Sequence, residues 1–326
     1  MIIKPIILNQ NEWDAHVDFP TQSYAWGYAC ESNGYEVERL GIYSETGDLC
    51  TVFLLVVHRI GRTSQRRAHV HRSSFFSDDI VSALYAYGKN KYICITIEPN
   101  ILKQAHIATP LLLRKSPFEF VTWTPCIDLT QSFSLIENKF SKTVRNENRY
   151  AEKNGAAVLH GDSETLFQDF LSIMQNTQTR KNFRGHTTNY YTHVFEALKK
   201  YAQVEIFIVY EKNAPIGGAC VFVFKDTLYY VYAGSLGQKI LRGSMYHLVI
   251  SIIQWGQSCG KKNLDLFGSL APDDVSQHPW QGFTKFKKSF GPVFNEYVGA
   301  YDIVLNKPMY FLYSTFYRIK RILIKK

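Results

Sequence analysis

The sequence predicts an α/β fold in two successive halves, and three observations carry that prediction. At 326 residues the chain exceeds what one hydrophobic core ordinarily serves. Apolar runs of strand length alternate with amphipathic helical patterns. Both halves also share one order of elements: helices, an antiparallel meander, then a helix and a strand. No close sequence repeat accompanies that order, and no low-complexity linker divides the halves, so they are expected to pack around a shared cleft. The boundaries fall at 1–128 for the first domain, completed by 300–326, and at 129–299 for the second.

In the first half, TQSYAWGYACESN (21–33) reads as a helix closed by Gly34. VERLGIYS and LCTVFLLVVHRI read as strands joined by the turn ETGD, and YICITIEP as a buried strand ended by Pro99. The unit ends near TWTPCIDL. In the second half, SLIENKFSKTVRNENRYAEKNG is a charged helical pattern stopped by Gly155. SETLFQDFLSIMQNTQTR is amphipathic, with Ser163 as N-cap. VEIFIVYE and GGACVFVFKD form a hairpin across KNAPIG, and TLYYVYAGS is the next strand. MYHLVISIIQWGQSCG is an apolar helix stopped by Gly260, and NLDLFG is a strand. EYVGAYDIVL is strand-like, and Pro308 opens a terminal helix.

Composition narrows the function classes. Apolar residues make up 46% and charged residues 20%, which excludes a disordered chain. A net charge of +9 favours an anionic partner: nucleic acid, a nucleotide or phosphate ligand, or an acidic membrane face. The six cysteines form no CxxC pair and several sit in apolar runs, so they read as reduced core residues of a cytosolic protein. The N-terminus lacks a signal-peptide layout, and no apolar run reaches membrane-spanning length.

Chemistry could sit in several places. HPWQGFTKFKKSFG (278–291) sets Trp280, Phe283, Phe286 and Phe290 among Lys285, Lys287 and Lys288. These lysines either snorkel from an aromatic anchor helix or serve a site. Lys142, Arg145, Arg149 and Lys153 fall on one helical stripe, either a solvated face or a phosphate-facing one. The loop holding Gly234, Gly237 and Gly243 feeds a helix and could take a phosphate on backbone N–H groups, although its spacing fits no nucleotide motif. Alternation places Tyr230 and Tyr232 on one strand face. His69 and His71 also share a face, but no carboxylate lies nearby in sequence, so no metal site is expected.

Taken together, these segments are similar to the FemABX family of peptidoglycan bridge-forming aminoacyltransferases. The likeness covers nearly the whole chain and rests on the joint order of an aromatic-rich first helix, the helix RNENRYAEKNG, the strand YVYAGS and GFTKFKKSFG. The resemblance implies two tandem acetyltransferase-like (GNAT) domains and no cofactor. It implies transfer of an amino acid from aminoacyl-tRNA to the amine of a UDP-linked or lipid-linked peptidoglycan precursor. By the same likeness Lys287 and Phe286 take the catalytic place. Tyr232, Tyr190, Tyr230, Arg145, Arg149, Arg184, Trp26 and Tyr28 fall in substrate binding.

There are departures from the family's pattern. His186, with Arg184 nearby, stands where an arginine usually precedes Tyr190. A lysine that some members carry in the first helix falls near Tyr28, and the coiled-coil arm of others is absent. A cytoplasmic protein follows. Its basic end (Arg318, Lys320, Arg321, Lys325, Lys326) is a candidate for contact with the inner face of the cell membrane or for docking on the first domain. Two alternatives stay open: a CoA-dependent N-acyltransferase acting on an amino sugar or cell-surface polysaccharide, and a non-enzymatic binder.

Overall fold

Capping side chains fix where most helices begin. In the computed structural model, which describes residues 1–74, 77–104, 113–117, 121–182, 185–237 and 240–324 (320–324 by backbone alone), the chain starts with β1 (Ile2–Pro5) and α1 (Gln10–Ala15). Next comes α2 (Tyr24–Ser32), whose cap Ser23 accepts from the Trp26 N–H at 3.1 Å. There follow β2 (Glu36–Tyr43), β3 (Leu49–Arg59), β4 (Arg66–Ser73), α3 (Asp78–Gly88), β5 (Cys94–Pro99) and β6 (Leu113–Lys115). The single charged pattern expected from residue 134 onward is two helices. Phe140 is extended and Ser141 caps a new start, so α4 (Phe133–Lys139) and α5 (Lys142–Lys153) follow β7 (Trp123–Asp128). The remaining elements are β8 (Ala156–Gly161), α6 (Glu164–Lys181), α7 (Thr188–Lys200), β9 (Val204–Glu211), β10 (Ala214–Phe224), β11 (Thr227–Ser235), α8 (Ser244–Ser258) and β12 (Asn263–Asp265). The chain finishes with α9 (Gln281–Lys288), β13 (Val293–Glu296), β14 (Tyr301–Val304) and α10 (Lys307–Ile324).

Two compact units result: Met1–Thr122 with Glu296–Lys326, and Trp123–Asn295. The sequence draws the first boundary after residue 128, one strand later. β7 belongs with the second unit because it pairs antiparallel with β12.

Each unit holds a seven-stranded sheet, and the two strand orders match position by position. The first runs β1-β2-β3-β4-β5-β14-β6 and the second β8-β9-β10-β11-β12-β7-β13. In both, four strands form an antiparallel meander. One parallel step follows, β4 to β5 or β11 to β12. A parallel pair needs a crossover, supplied by α3 and α8 respectively. The sixth strand then runs antiparallel to the fifth.

The first core gathers Leu40, Phe53, Leu55, Val70, Leu84, Ile95 and Ile303. The second gathers Phe207, Val221, Leu248, Ile252, Leu264 and Phe290. In the second unit α8 lies against β9 and β10 and α6 against β9, β10 and β11.

Candidate active site

α9 and the turn that follows it carry (i, i+4) pairs on two separate stripes. Phe286 and Phe290 form one, with ring centroids 5.3 Å apart. Phe290 is fully buried edge-on to Phe140, and Phe286 tilts against Tyr246 at 5.0 Å. These two rings therefore clamp α9 to the core. Phe283 and Lys287 form the other stripe, the ammonium standing 4.9 Å from the ring centroid. Among the aromatic residues expected around Lys287, Phe283 is the one beneath it; Phe286 and Phe290 point a quarter-turn away, into the core.

Lys287 is 9% exposed. Its Nζ donates to the Phe267 carbonyl at 2.8 Å and the Gly268 carbonyl at 2.7 Å. Those carbonyls sit just past β12, where Phe267 takes a left-handed conformation at φ 58° and donates its N–H to Asp265 at 2.7 Å. Thr284 accepts from the Leu270 N–H and Lys288 donates to Pro272, so α9 braces the whole loop. Burial lowers the Lys287 amine to about 7 against the opposing pull of Asp265. An ammonium has three donors, and these carbonyls take two. The arrangement thus presents a desolvated amine, its affinity for a proton lowered by burial, in a fixed position.

A second cluster forms where β11 bulges. Tyr232 pairs with Cys220 and Tyr230 with Val221, so Val231 has no partner on β10. An extra residue reverses the alternation beyond it. Tyr230 and Tyr232 therefore lie on opposite faces, contrary to the expectation from period two. Tyr230 is 6% exposed within the core, whereas Tyr232 joins Tyr190, Tyr191 and His186 on the α6–α7 side. The Tyr190 and Tyr232 hydroxyls are 3.4 Å apart, and His186 stacks on Tyr190 at 3.8 Å. Burial, followed by Tyr190, raises the Tyr232 phenol well above its ordinary value. The end of β11 is tied to α6: Ser235 N–H donates to Thr177 Oγ1 at 3.0 Å, and Arg180 donates to the Ser235 carbonyl at 2.8 Å.

The other predicted residues are more scattered. Arg145 is half-buried and donates to the Phe140 carbonyl at 2.8 Å, holding the α4–α5 junction, while Arg149 is exposed. Arg184 lies outside the described residues. Trp26 and Tyr28 sit half-buried on α2 in the first unit. A cation does stand beside Tyr28: Arg39 of β2 lies 5.3 Å from its ring and 5.5 Å from that of Tyr24, paired with Glu31 at 2.6 Å.

The glycine-bearing loop before α8 has a packing explanation. Gly243 has φ 84°, and a β-carbon there would stand 2.0 Å from the Glu147 carbonyl oxygen of α5. Arg242 pairs with the Glu147 carboxylate at 3.0 Å, so an acidic side chain already attends this helix start.

Sequence spacing missed one group altogether. Parallel pairing of β4 with β5 brings Glu98 to His69 and His71, the carboxylate that the neighbourhood of HVHR lacks. Burial lowers His69 to about 4. Burial alone would raise the Glu98 carboxyl, yet its contacts with the two imidazoles lower it. The signal was present in YICITIEP: a lone acid in an otherwise apolar strand.

Comparison with known proteins now adds to this geometry. Residues 118–210 and 199–318 match the model of the FemAB family. A Lipid II:glycine glycyltransferase of Staphylococcus epidermidis is 21% identical over 372 aligned positions, covering 88% of this chain and 88% of that protein. The solved structure of FemX superposes with a TM-score of 0.81 at 16% identity, covering 95% of this chain and 100% of that one. A tandem GNAT protein from the clavulanic acid biosynthesis pathway gives a TM-score of 0.52 at 9% identity over 92% of this chain and 96% of its own. The fold is two tandem GNAT-like domains.

Proposed function

Since the chain belongs to the FemAB family, we propose that it is an acyltransferase that moves an amino acid from aminoacyl-tRNA onto the amine of a peptidoglycan precursor peptide. The observation that carries the site assignment is Lys287, a buried amine held by two backbone carbonyls and titrating near 7. The acceptor amine attacks the ester carbonyl of the donor. A carbon–nitrogen bond forms, the bond to the ribose oxygen breaks, and the proton lost by the amine ends on that oxygen. Negative charge grows on the carbonyl oxygen during attack, and the third Lys287 N–H stabilises it as a preorganised donor. A single such donor is worth about 3–4 kcal/mol in the barrier. Tyr190 and Tyr232 hold the substrate through their paired hydroxyls, and the exposed Arg149 of the same unit adds binding surface.

The lipid-linked precursor suits α10. Tyr310 and Ser314 face inward, while Phe311, Leu312, Phe316 and Ile319 are each more than half exposed. Arg114, Lys115, Lys307 and Arg318 line a groove of about 470 Å³ beside Phe311. Apolar side chains bordered by cations match an anionic membrane surface, and we assign this face to that contact. No helix among the described residues is long and apolar enough to cross a membrane.

A CoA donor is disfavoured by the start of α8, where Gly243 meets the Glu147 carbonyl and Glu147 supplies negative charge. The deciding experiment incubates the protein with a charged tRNA pool or acetyl-CoA and with UDP-linked or lipid-linked precursor, then weighs the precursor intact. A gain of one aminoacyl mass, abolished in Lys287→Ala, is expected. Transfer from acetyl-CoA alone would overturn the donor assignment.

A further inference from the structure

We propose that His69, His71 and Glu98 form a three-ligand site for a zinc-class divalent cation in the first unit, with the fourth coordination position open. The site stands independently of the transfer reaction proposed above. Three donor atoms, one from each residue, lie within 4.8 Å of one another. His69 Nε2 is 3.0 Å from Glu98 Oε1, and His71 Nδ1 is 3.2 Å from Glu98 Oε2. Tetrahedral zinc with bonds of about 2.0–2.1 Å separates neighbouring ligand atoms by about 3.4 Å; each histidine nitrogen stands near that distance from one oxygen of the Glu98 carboxylate, His69 from Oε1 and His71 from Oε2.

Two further observations favour a cation over a simple hydrogen-bonded cluster. Glu98 Oε2 and His71 Nδ1 are hydrogen-bonded at 3.2 Å, but the buried His69 Nε2 and Glu98 Oε1, although near each other, have no aligned hydrogen bond among the described residues. Close approach without alignment is how ligands look when they converge on a third point. His69 is 7% exposed and Glu98 is 3% exposed, so water does not readily satisfy them. The ligand set of two imidazoles and a carboxylate is also that of three-ligand zinc centres with an open position.

The fold explains why these residues meet. His69 and His71 project from one face of β4, and parallel β5 places Glu98 alongside. The register of this pair shifts between Val70 and Ser73, where Arg72 takes φ 43°, so the strands depart from regular pairing at the site. His71 is the more open ligand, its side chain 20% exposed, and gives the route of entry. Arg67 lies within electrostatic reach of His69 and opposes a second cation, so affinity should fall short of that of fully cysteine-ligated sites.

The test uses the full chain, stripped with a chelator, re-equilibrated with Zn²⁺ alone, desalted and analysed for metal by mass spectrometry. About one zinc per chain is expected. Glu98→Gln and His71→Ala should each lose it while keeping the wild-type circular dichroism. His58→Ala, a half-buried neighbour outside the ligand set, should retain it. Co²⁺ in place of Zn²⁺ should give the intense visible bands of a four-coordinate ion. That spectrum decides the matter even if a variant fails to fold. Substoichiometric zinc in the wild type, or full zinc in a folded Glu98→Gln, would overturn the site.

Discussion

The hydroxyls of Tyr190 and Tyr232 meet at 3.4 Å although 42 positions separate them and one comes from a helix, the other from a strand. Val231 makes this meeting: the extra residue in β11 turns Tyr232 towards α7 while leaving Tyr230 in the core.

Removing either hydroxyl should therefore cost little stability but alter binding. Tyr190→Phe and Tyr232→Phe should each lower unfolding free energy by no more than about 1 kcal/mol, and the double variant by scarcely more than one single. Urea titrations measure this. In the transfer assay each variant should raise KM several-fold with kcat largely kept. An unchanged KM in both would remove the pair from substrate binding.

Gly243 and Gly260 should respond very differently to alanine. Both have positive φ, 84° and 67°. A β-carbon at Gly260 meets nothing within 4 Å, but at Gly243 it would run into the backbone of Glu147. Gly260→Ala should cost about 1 kcal/mol, the backbone term alone. Gly243→Ala should cost several-fold more, because α5 and α8 must part. Comparing the two thermal midpoints tests the packing account.

Lys287 gives stability a pH signature. Its amine titrates at about 7 when folded and at the ordinary 10.5 when unfolded. Between these values the unfolded chain binds a proton that the folded chain has released, so stability rises with pH across that window and is level outside it. Lys287→Met should abolish this rise, which urea midpoints near pH 6.5 and pH 9.5 would reveal. If the ammonium is the form that stabilises the transition state, transfer should weaken as pH climbs through about 7.

Membrane contact through α10 should depend on its exposed rings and on salt. Phe311→Ser with Phe316→Ser should cut sedimentation with vesicles rich in anionic lipid. Neutral vesicles should bind weakly even the wild type, and added salt should release the protein, since surface charges are screened within about 8–10 Å. Equal binding to both vesicle types would reject the contact.

Much of the fold could be read from pattern. The meanders, Ser163 and Pro308 at helix starts, and Gly155 and Gly260 at helix ends are local signals, and local physics places them. The site was less legible wherever it depends on an irregularity. Period two put Tyr230 beside Tyr232, and nothing in TLYYVYAGS marks Val231 as the bulged residue. The charge stripe on α5 gave no hint that Arg145 turns back to the Phe140 carbonyl. Glu98 reaches the histidines through a parallel pairing across α3, a contact between residues far apart in sequence. Lys287 could be singled out by its surroundings of aromatic residues, but its carbonyl partners come from a loop that only the fold brings near.

The sheet of the first unit carries β14 between β5 and β6, and β14 lies at residues 301–304. On the ribosome, then, the opening third of the nascent polypeptide must wait with a gap in its sheet while residues 123–295 emerge. Until the last strand arrives, the edges of β5 and β6 are open to strangers, and a chaperone that shields them would find its client in this interval.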